Sequence, residues 1–170
     1  PQNPKLKGVR HIVQDEPDDA FLLREDFLRG IRLLKKYNLT YDILIYPKHL
    51  AVAKKFVEMF PDQPFVIDHI AKPFIKDHII GDWENGIRDL AAFPNVYVKV
   101  SGMVTEGNWK NWTEADFTPY LDIIFDAFGP DRVMIGSDWP MMTLCGEYGQ
   151  VIDIVRHYIQ RFPPSDRAKI

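Results

Sequence analysis

The strongest constraint on the fold is a regular alternation of short apolar runs and longer amphipathic stretches along the 170 residues. Apolar runs of strand length without a clear polar alternation are typical of parallel strands that are covered on both faces. We therefore predict five strands, each followed by an amphipathic helix. The strands are predicted at residues 8–14, 41–46, 64–69, 95–101 and 132–136, and the helices at residues 24–37, 49–60, 82–93, 119–128 and 147–162.

Strands and helices that alternate with short turns leave two architectures open, a doubly wound parallel sheet and a (β/α)8 barrel. Five units fit the sheet by their number. A complete barrel takes about 250 residues, so a chain of this length would supply only the last five of its units. No glycine-rich phosphate-binding loop follows any predicted strand, which removes the commonest reason for a doubly wound fold. The spacing alone does not decide between the two.

The composition excludes several classes of function. With 46% hydrophobic and 26% charged residues, the chain is typical of soluble globular proteins. A net charge of −3 gives no electrostatic basis for binding nucleic acid or an anionic membrane, and no apolar run is long enough to span a bilayer. The single cysteine, Cys145, excludes an internal disulfide framework and fits a reducing compartment, so we expect a cytoplasmic protein.

Two predicted strands end in groups that carry chemistry. The last strand leads through a Gly-Ser turn to Asp138, and the third strand ends in Asp68 and His69. Catalytic groups of α/β proteins lie at the carboxyl ends of parallel strands, so Asp138 is a candidate general base or metal ligand. His69 is a candidate metal ligand or carbonyl-polarising group. The structural alternatives are a turn or helix-capping aspartate and a histidine bonded within a loop. Because adjacent strand residues point to opposite faces, we expect one of Asp68 and His69 to be structural.

Two charged side chains lie inside otherwise apolar strands and need partners. Arg10 lies in the first predicted strand and Lys99 in the fourth. An arginine that faces a pocket binds carboxylates or hydroxyl-rich substrates through two parallel hydrogen bonds. An ion pair at the edge of the core is the structural alternative, and the rarity of buried charge favours it. The sequence therefore leaves the roles of Arg10 and Lys99 open.

Four tracts together resemble the amidohydrolase superfamily in their order and spacing. They are residues 8–11 (GVRH), 68–73 (DHIAKP), 99–102 (KVSG) and 136–140 (GSDWP). The resemblance is to the lactonase-like branch of the amidohydrolase-2 type, which includes L-fucono- and L-rhamnono-lactonases and 2-pyrone-4,6-dicarboxylate lactonase. It implies a TIM-like (β/α)8 barrel of the metal-dependent hydrolase type, of which this chain covers roughly strands four to eight. Residues 1–170 are then expected to be the C-terminal portion of one barrel domain whose N-terminal strands are absent from this chain.

The resemblance also implies an activity. The expected reaction is hydrolysis of a sugar-acid lactone or similar small cyclic ester, with Asp138 activating the water and His69 as the sixth-strand histidine of the barrel. The implied substrate-binding residues are Arg10, His11, Lys99 and Trp139. A metal-dependent decarboxylase of the same superfamily, or an inactive barrel used for binding, are the alternatives. The 170 residues alone are expected to be inactive, because an open barrel fragment lacks three strands and exposes two edges.

The resemblance leaves the metal open. His69 and Asp138 are the implied ligands of one divalent ion, for which zinc is the first expectation. The predicted strand at 41–46 lacks the histidine that metal-dependent relatives carry, unless His49 takes its place. Some members of this branch are thought to work without a metal, so metal-independent catalysis stays open as well. The expected partner is a small-molecule lactone or carbohydrate-derived substrate, with no nucleic acid or membrane, and a homo-oligomer stays open.

Overall fold

A computed structural model of the chain describes residues 3–170, and it contains one five-stranded parallel sheet. The strands are β1 (Gly8–Ile12), β2 (Thr40–Leu44), β3 (Phe65–Ile67), β4 (Val96–Val100) and β5 (Val133–Ile135). Each strand pairs with its neighbour in sequence, so the order across the sheet is β1-β2-β3-β4-β5. All five predicted strands are confirmed, and each is one to three residues shorter than predicted.

The strands are connected by helices and short 3₁₀ turns. The helices are α1 (Glu25–Leu34), α2 (Leu50–Glu58), α3 (Gly81–Ala91), α4 (Met103–Glu106), α5 (Glu114–Phe128), α6 (Tyr148–Ile159) and α7 (Pro164–Arg167). The prediction that a helix begins at Pro119 was wrong, because α5 begins five residues earlier. The side chain of Thr113 there accepts from the backbone N–H of Asp116, whose carboxylate accepts from the Thr113 backbone. This capping box marks the beginning of α5, and the sequence prediction did not take it into account.

The sequential strand order decides between the two architectures. In a doubly wound sheet the strand order reverses at a switch point, and helices then cover both faces. The five described strands advance in one direction throughout, and right-handed crossovers then place every helix on the same face. This is the winding of a (β/α)8 barrel, and it excludes the doubly wound alternative for the described strands.

The two faces of the sheet differ in character. Val96, Val98 and Val100 of β4 are fully buried against the helices, in the main hydrophobic core. Lys99 lies between them and points to the other face. Residues of that other face line a concave surface with a volume of about 420 Å³; they include Arg10, Asp42, Val66, Lys99 and Met134. The open face therefore carries charge, and it includes Arg10 and Lys99, the two strand cations whose roles the sequence leaves open.

None of the helices in residues 3–170 is long and apolar enough to cross a membrane.

Candidate active site

The turn after β3 brings the first group of the site into place. Four consecutive residues, His69, Ile70, Ala71 and Lys72, have left-handed backbone with φ of 53°, 46°, 57° and 50°. Because the chain leaves the extended conformation after Ile67, the alternation of strand side chains no longer applies. Both Asp68 and His69 therefore reach the carboxyl end of the sheet, although they contact different partners.

Buried contacts hold this unusual turn. Left-handed backbone costs non-glycine residues about 1–3 kcal/mol each, and a β-branched isoleucine is a genuine outlier there. The indole Nε1 of Trp83 donates to the carbonyl oxygen of Ile70 at 2.8 Å, and the backbone N–H of Lys72 donates to the carbonyl of His69 at 2.8 Å. Ile70 and Ala71 are fully buried. Packing and these hydrogen bonds thus keep the His69 side chain at the rim of the sheet.

His69 and Asp138 face each other at that rim. The imidazole Nε2 of His69 lies 3.5 Å from Oδ1 of Asp138, which follows β5, the second strand along the sheet from β3. On the other side of the ring, Nδ1 shares a hydrogen bond of 2.8 Å with the hydroxyl of Ser101, the residue after β4. Three strand ends therefore meet at one imidazole ring.

The environment of the His69 imidazole favours its neutral form. Burial lowers the pKa of His69, and the nearby carboxylates of Asp138 and Asp68 offset only part of that effect. The pKa of His69 consequently lies below its ordinary value of 6.5. A neutral imidazole offers one ring nitrogen as an acceptor or ligand and the other as a donor.

Asp138 contacts His69 through its side chain at the rim of the sheet. Its backbone is left-handed, with φ of 60°, and its carboxylate caps no helix among the described residues. The 3₁₀ turn that follows begins at Met141, without a side-chain cap. The turn-aspartate alternative therefore accounts for the backbone of Asp138 and leaves its carboxylate directed at His69.

Below this pair, a network of charges crosses the open face of the sheet. The buried carboxylate of Asp68 accepts from Nη1 of Arg10 at 2.8 Å and from Nζ of Lys99 at 2.5 Å. Lys99 also contacts Asp42 at 3.2 Å. Burial alone would raise the pKa of Asp68, but the hydrogen bonds from Arg10 and Lys99 outweigh it and keep the pKa below the ordinary value of 3.8. Asp68, which the sequence prediction did not select as a site residue, is the centre of the network.

Two of the predicted substrate-binding residues lie away from this network. The imidazole of His11 points toward the helices, where it stacks on Phe21 with a centroid distance of 4.7 Å and contacts Glu16 at 2.6 Å. Residues alternate along β1, so the side chains of His11 and Arg10 lie on opposite faces of the sheet. Trp139 is adjacent to Asp138 and is 69% exposed at the rim.

The donor groups at the rim match part of a zinc site. Imidazole nitrogen and carboxylate oxygen are both zinc ligands, and a catalytic zinc takes three protein ligands. Among residues 3–170, no group of three His, Cys, Asp or Glu side chains could hold a metal ion. His49 does not complete the set, because its Nδ1 accepts from the Tyr46 backbone and its Nε2 faces Asp19 at 3.3 Å. His69 and Asp138 thus fit as two ligands of a site that needs a third.

A cavity of about 570 Å³ opens at the same end of the sheet. Its wall is mainly apolar and includes Tyr46, Phe74 and Trp83, with polar groups from Gln14 and Lys48. Nζ of Lys72, at the end of the left-handed turn, lies 5.7 Å from the centre of the Tyr46 ring. The volume falls in the range of small-molecule pockets.

Comparisons with known proteins identify the family and the fold. The amidohydrolase family profile matches residues 1–170. The L-fucono-1,5-lactonase of Burkholderia multivorans is 35% identical over 177 aligned residues, which cover 98% of this chain and 60% of that protein. An amidohydrolase structure from Burkholderia multivorans with bound zinc superposes with a TM-score of 0.94 at 35% identity. The match covers 99% of this chain and 62% of the chain in that structure.

A more distant structure shares the fold. A putative 2-pyrone-4,6-dicarboxylic acid hydrolase from Pseudomonas putida has a TM-score of 0.76 at 18% identity, over 96% of this chain and 59% of that one. The chain therefore spans about 60% of the length of the relatives it matches. These matches bear out the resemblance that the four sequence motifs indicated.

Proposed function

Because the chain belongs to the amidohydrolase family, we propose that it forms part of a lactone hydrolase that opens a sugar-acid lactone or similar small cyclic ester. The 170 residues supply strands four to eight of the barrel in this proposal, and the remaining strands complete it. L-fucono-1,5-lactone is the first substrate to test, because the Burkholderia multivorans relative carries the name of that lactonase. The substrate is thus a small molecule that enters at the carboxyl ends of the strands.

The observation that carries the proposal is the His69–Asp138 pair. A carboxylate and a neutral imidazole face each other at 3.5 Å, at the edge of the sheet where catalytic groups of barrels lie. Asp138 takes a proton from the attacking water as its oxygen bonds to the lactone carbonyl carbon. The ring C–O bond then breaks, and the proton passes to the departing ring oxygen. His69 orients the carbonyl through its ring nitrogen.

Arg10 is proposed to hold the polar groups of the substrate. Its side chain is 45% exposed on the open face, although one of its nitrogens is bonded to Asp68. The guanidinium has five N–H donors, so several remain for substrate hydroxyl or carboxylate groups. Lys99 is more enclosed and is paired with two carboxylates, which makes it a weaker candidate for direct contact.

His69 and Asp138 also provide two donor groups for a metal ion. Zinc, when bound, polarises the carbonyl and lowers the pKa of a bound water, and His69 and Asp138 are the residues of this chain that would hold it. Support comes from the chemistry of these two donors and from the zinc in the Burkholderia multivorans amidohydrolase structure. Within the described part of the chain, no third His, Cys, Asp or Glu side chain lies beside them in a position to complete the site.

The test is a lactone-hydrolysis assay on the purified protein, after its intact mass has been compared with that of the 170-residue chain. We expect Asp138→Asn to reduce the rate by about 10²–10⁴-fold, since general base catalysis contributes that much. Asp131→Asn is the matched control, because Asp131 precedes β5 and pairs with Lys169 on the surface. Retention of most activity in Asp138→Asn would refute the role of Asp138, and release of CO₂ in place of lactone opening would refute the reaction.

A further inference from the structure

We propose that Ser101 is a positioning residue that fixes the tautomer and the orientation of the His69 imidazole. The proposal rests on the proposed function, since it assigns Ser101 a task in the same site. Its geometric basis is the hydrogen bond of 2.8 Å between the Ser101 hydroxyl and Nδ1 of His69. No other side-chain group among the described residues bonds this nitrogen.

The bond is enclosed by protein. Ser101 is 3% exposed and His69 is 8% exposed, so water does not compete freely for either partner. Ser101 follows β4 and His69 follows β3, and these neighbouring strands are paired through Ile67 and Val98. The register of β3 and β4 therefore fixes the position of the Ser101 hydroxyl along the sheet relative to the His69 ring.

The His69 ring contacts Ser101 through one nitrogen and Asp138 through the other. The same three residue types form the catalytic triad of serine hydrolases. In such a triad the serine oxygen attacks the carbonyl carbon and must be open to the substrate. The burial of Ser101 argues against this role. The backbone of Gly136 also packs against it, because a Cβ at Gly136 would lie 3.2 Å from Cβ of Ser101. A nucleophilic hydroxyl has to be open to the substrate, whereas a positioning role needs no such access.

The backbone of Gly102 also constrains the His69 ring, but in a different way from Ser101. Gly102 lies against the imidazole, and a Cβ at this position would lie 2.9 Å from both Cγ and Nδ1 of His69. This backbone wall limits displacement of the ring but does not distinguish its two nitrogens. The Ser101 hydroxyl, which can donate to an unprotonated Nδ1, distinguishes them together with the Asp138 carboxylate, which only accepts and favours the proton on Nε2. The partner of one ring nitrogen sets the tautomer that the other nitrogen presents.

The variant that tests this is Ser101→Ala, with Ser101→Cys as the near-isosteric variant that keeps a weaker donor. Partners that fix a functional histidine cost about 10–100-fold in activity when they are removed. We expect Ser101→Ala to lower kcat by that factor with little change in KM, and Ser101→Cys to recover part of the loss. Thr118→Ala is the control, since its hydroxyl bonds the Glu114 carbonyl on the exposed side of α5.

The second readout does not depend on activity. The ¹⁵N NMR signals of the His69 ring, assigned by their absence in His69→Gln, report the tautomer directly. We expect a single-tautomer pattern in the parent protein and averaged signals in Ser101→Ala. If the parent protein hydrolyses no lactone, the NMR result still decides the role of Ser101, so the two proposals fail separately.

Two results would overturn the proposal. One is a single-tautomer pattern that persists unchanged in a folded Ser101→Ala protein, which would show that another group orients the ring. The other is covalent labelling of Ser101 by a fluorophosphonate in the parent protein, which would make Ser101 a nucleophile.

Discussion

Replacing Asp68 with asparagine tests the charge network below the site. Asparagine has nearly the same shape, but its NH₂ group would face one of the two cations that now donate to the carboxylate. Removing one partner of a buried ion pair costs about 3–5 kcal/mol. Here Arg10 and Lys99 are 45% and 26% exposed, and Lys99 keeps its contact with Asp42, so water and Asp42 offset part of the loss. We expect the free energy of unfolding to fall by about 2–3 kcal/mol.

The assay is urea denaturation at neutral pH with linear extrapolation, supported by a thermal melt. For a chain of this size, such a loss corresponds to a decrease in Tm of roughly 4–12 °C. Asp62→Asn is the control, because its contact with Lys35 lies on the surface and should not change stability measurably. A loss in Asp68→Asn below about 1 kcal/mol would refute the reasoning, since desolvation of the network would then cancel its attraction.

Two further substitutions test the hydrogen bond that holds the left-handed turn and the pH dependence that the buried His49 confers on stability. Trp83→Phe keeps an aromatic ring but removes the donor to the buried Ile70 carbonyl, so we expect a loss of about 1–3 kcal/mol in urea denaturation. Trp109→Phe also loses a 2.8 Å bond to a carbonyl, but at a half-exposed site, and an equal loss in both variants would contradict the argument. Burial lowers the pKa of His49, with the charge of Lys48 adding to the effect, below its ordinary 6.5. The unfolded chain then takes up a proton more readily than the folded one, so stability present above about pH 6.5 is lost as the pH falls. His49→Asn should lose less stability than the parent protein between about pH 7 and pH 5 in pH-dependent denaturation, and parallel pH curves would refute this.

Much of the fold follows from simple sequence patterns. Apolar runs located all five strands, and two strand ends singled out His69 and Asp138, which the structure brings to 3.5 Å. The architecture needed either the structure or the family motifs, because spacing does not reveal the order of strands across a sheet. The alternation of residues along β1 places Arg10 and His11 on opposite faces of the sheet. Which of the two faces the site becomes clear only when the inner face of the sheet is known.

The local geometry of the site could not be read from the sequence. The left-handed turn contains no glycine or asparagine between His69 and Lys72, and these are the residues that normally signal such backbone. It exists because tertiary contacts such as the Trp83 hydrogen bond outweigh local preference. The bond between His69 and Ser101 joins residues that are 32 positions apart, so only the pairing of β3 with β4 reveals it.

The agreement between chain order and strand order has a consequence for biosynthesis. Each described strand pairs with the strand made just before it, roughly thirty residues earlier, as in any βαβ unit. No described strand waits for a distant segment of the chain to arrive from the ribosome. The sheet is therefore suited to assemble in step with translation, one strand and helix at a time. Asp138 follows the last of the described strands, so the carboxylate that faces Nε2 of His69 is made after the other described strands.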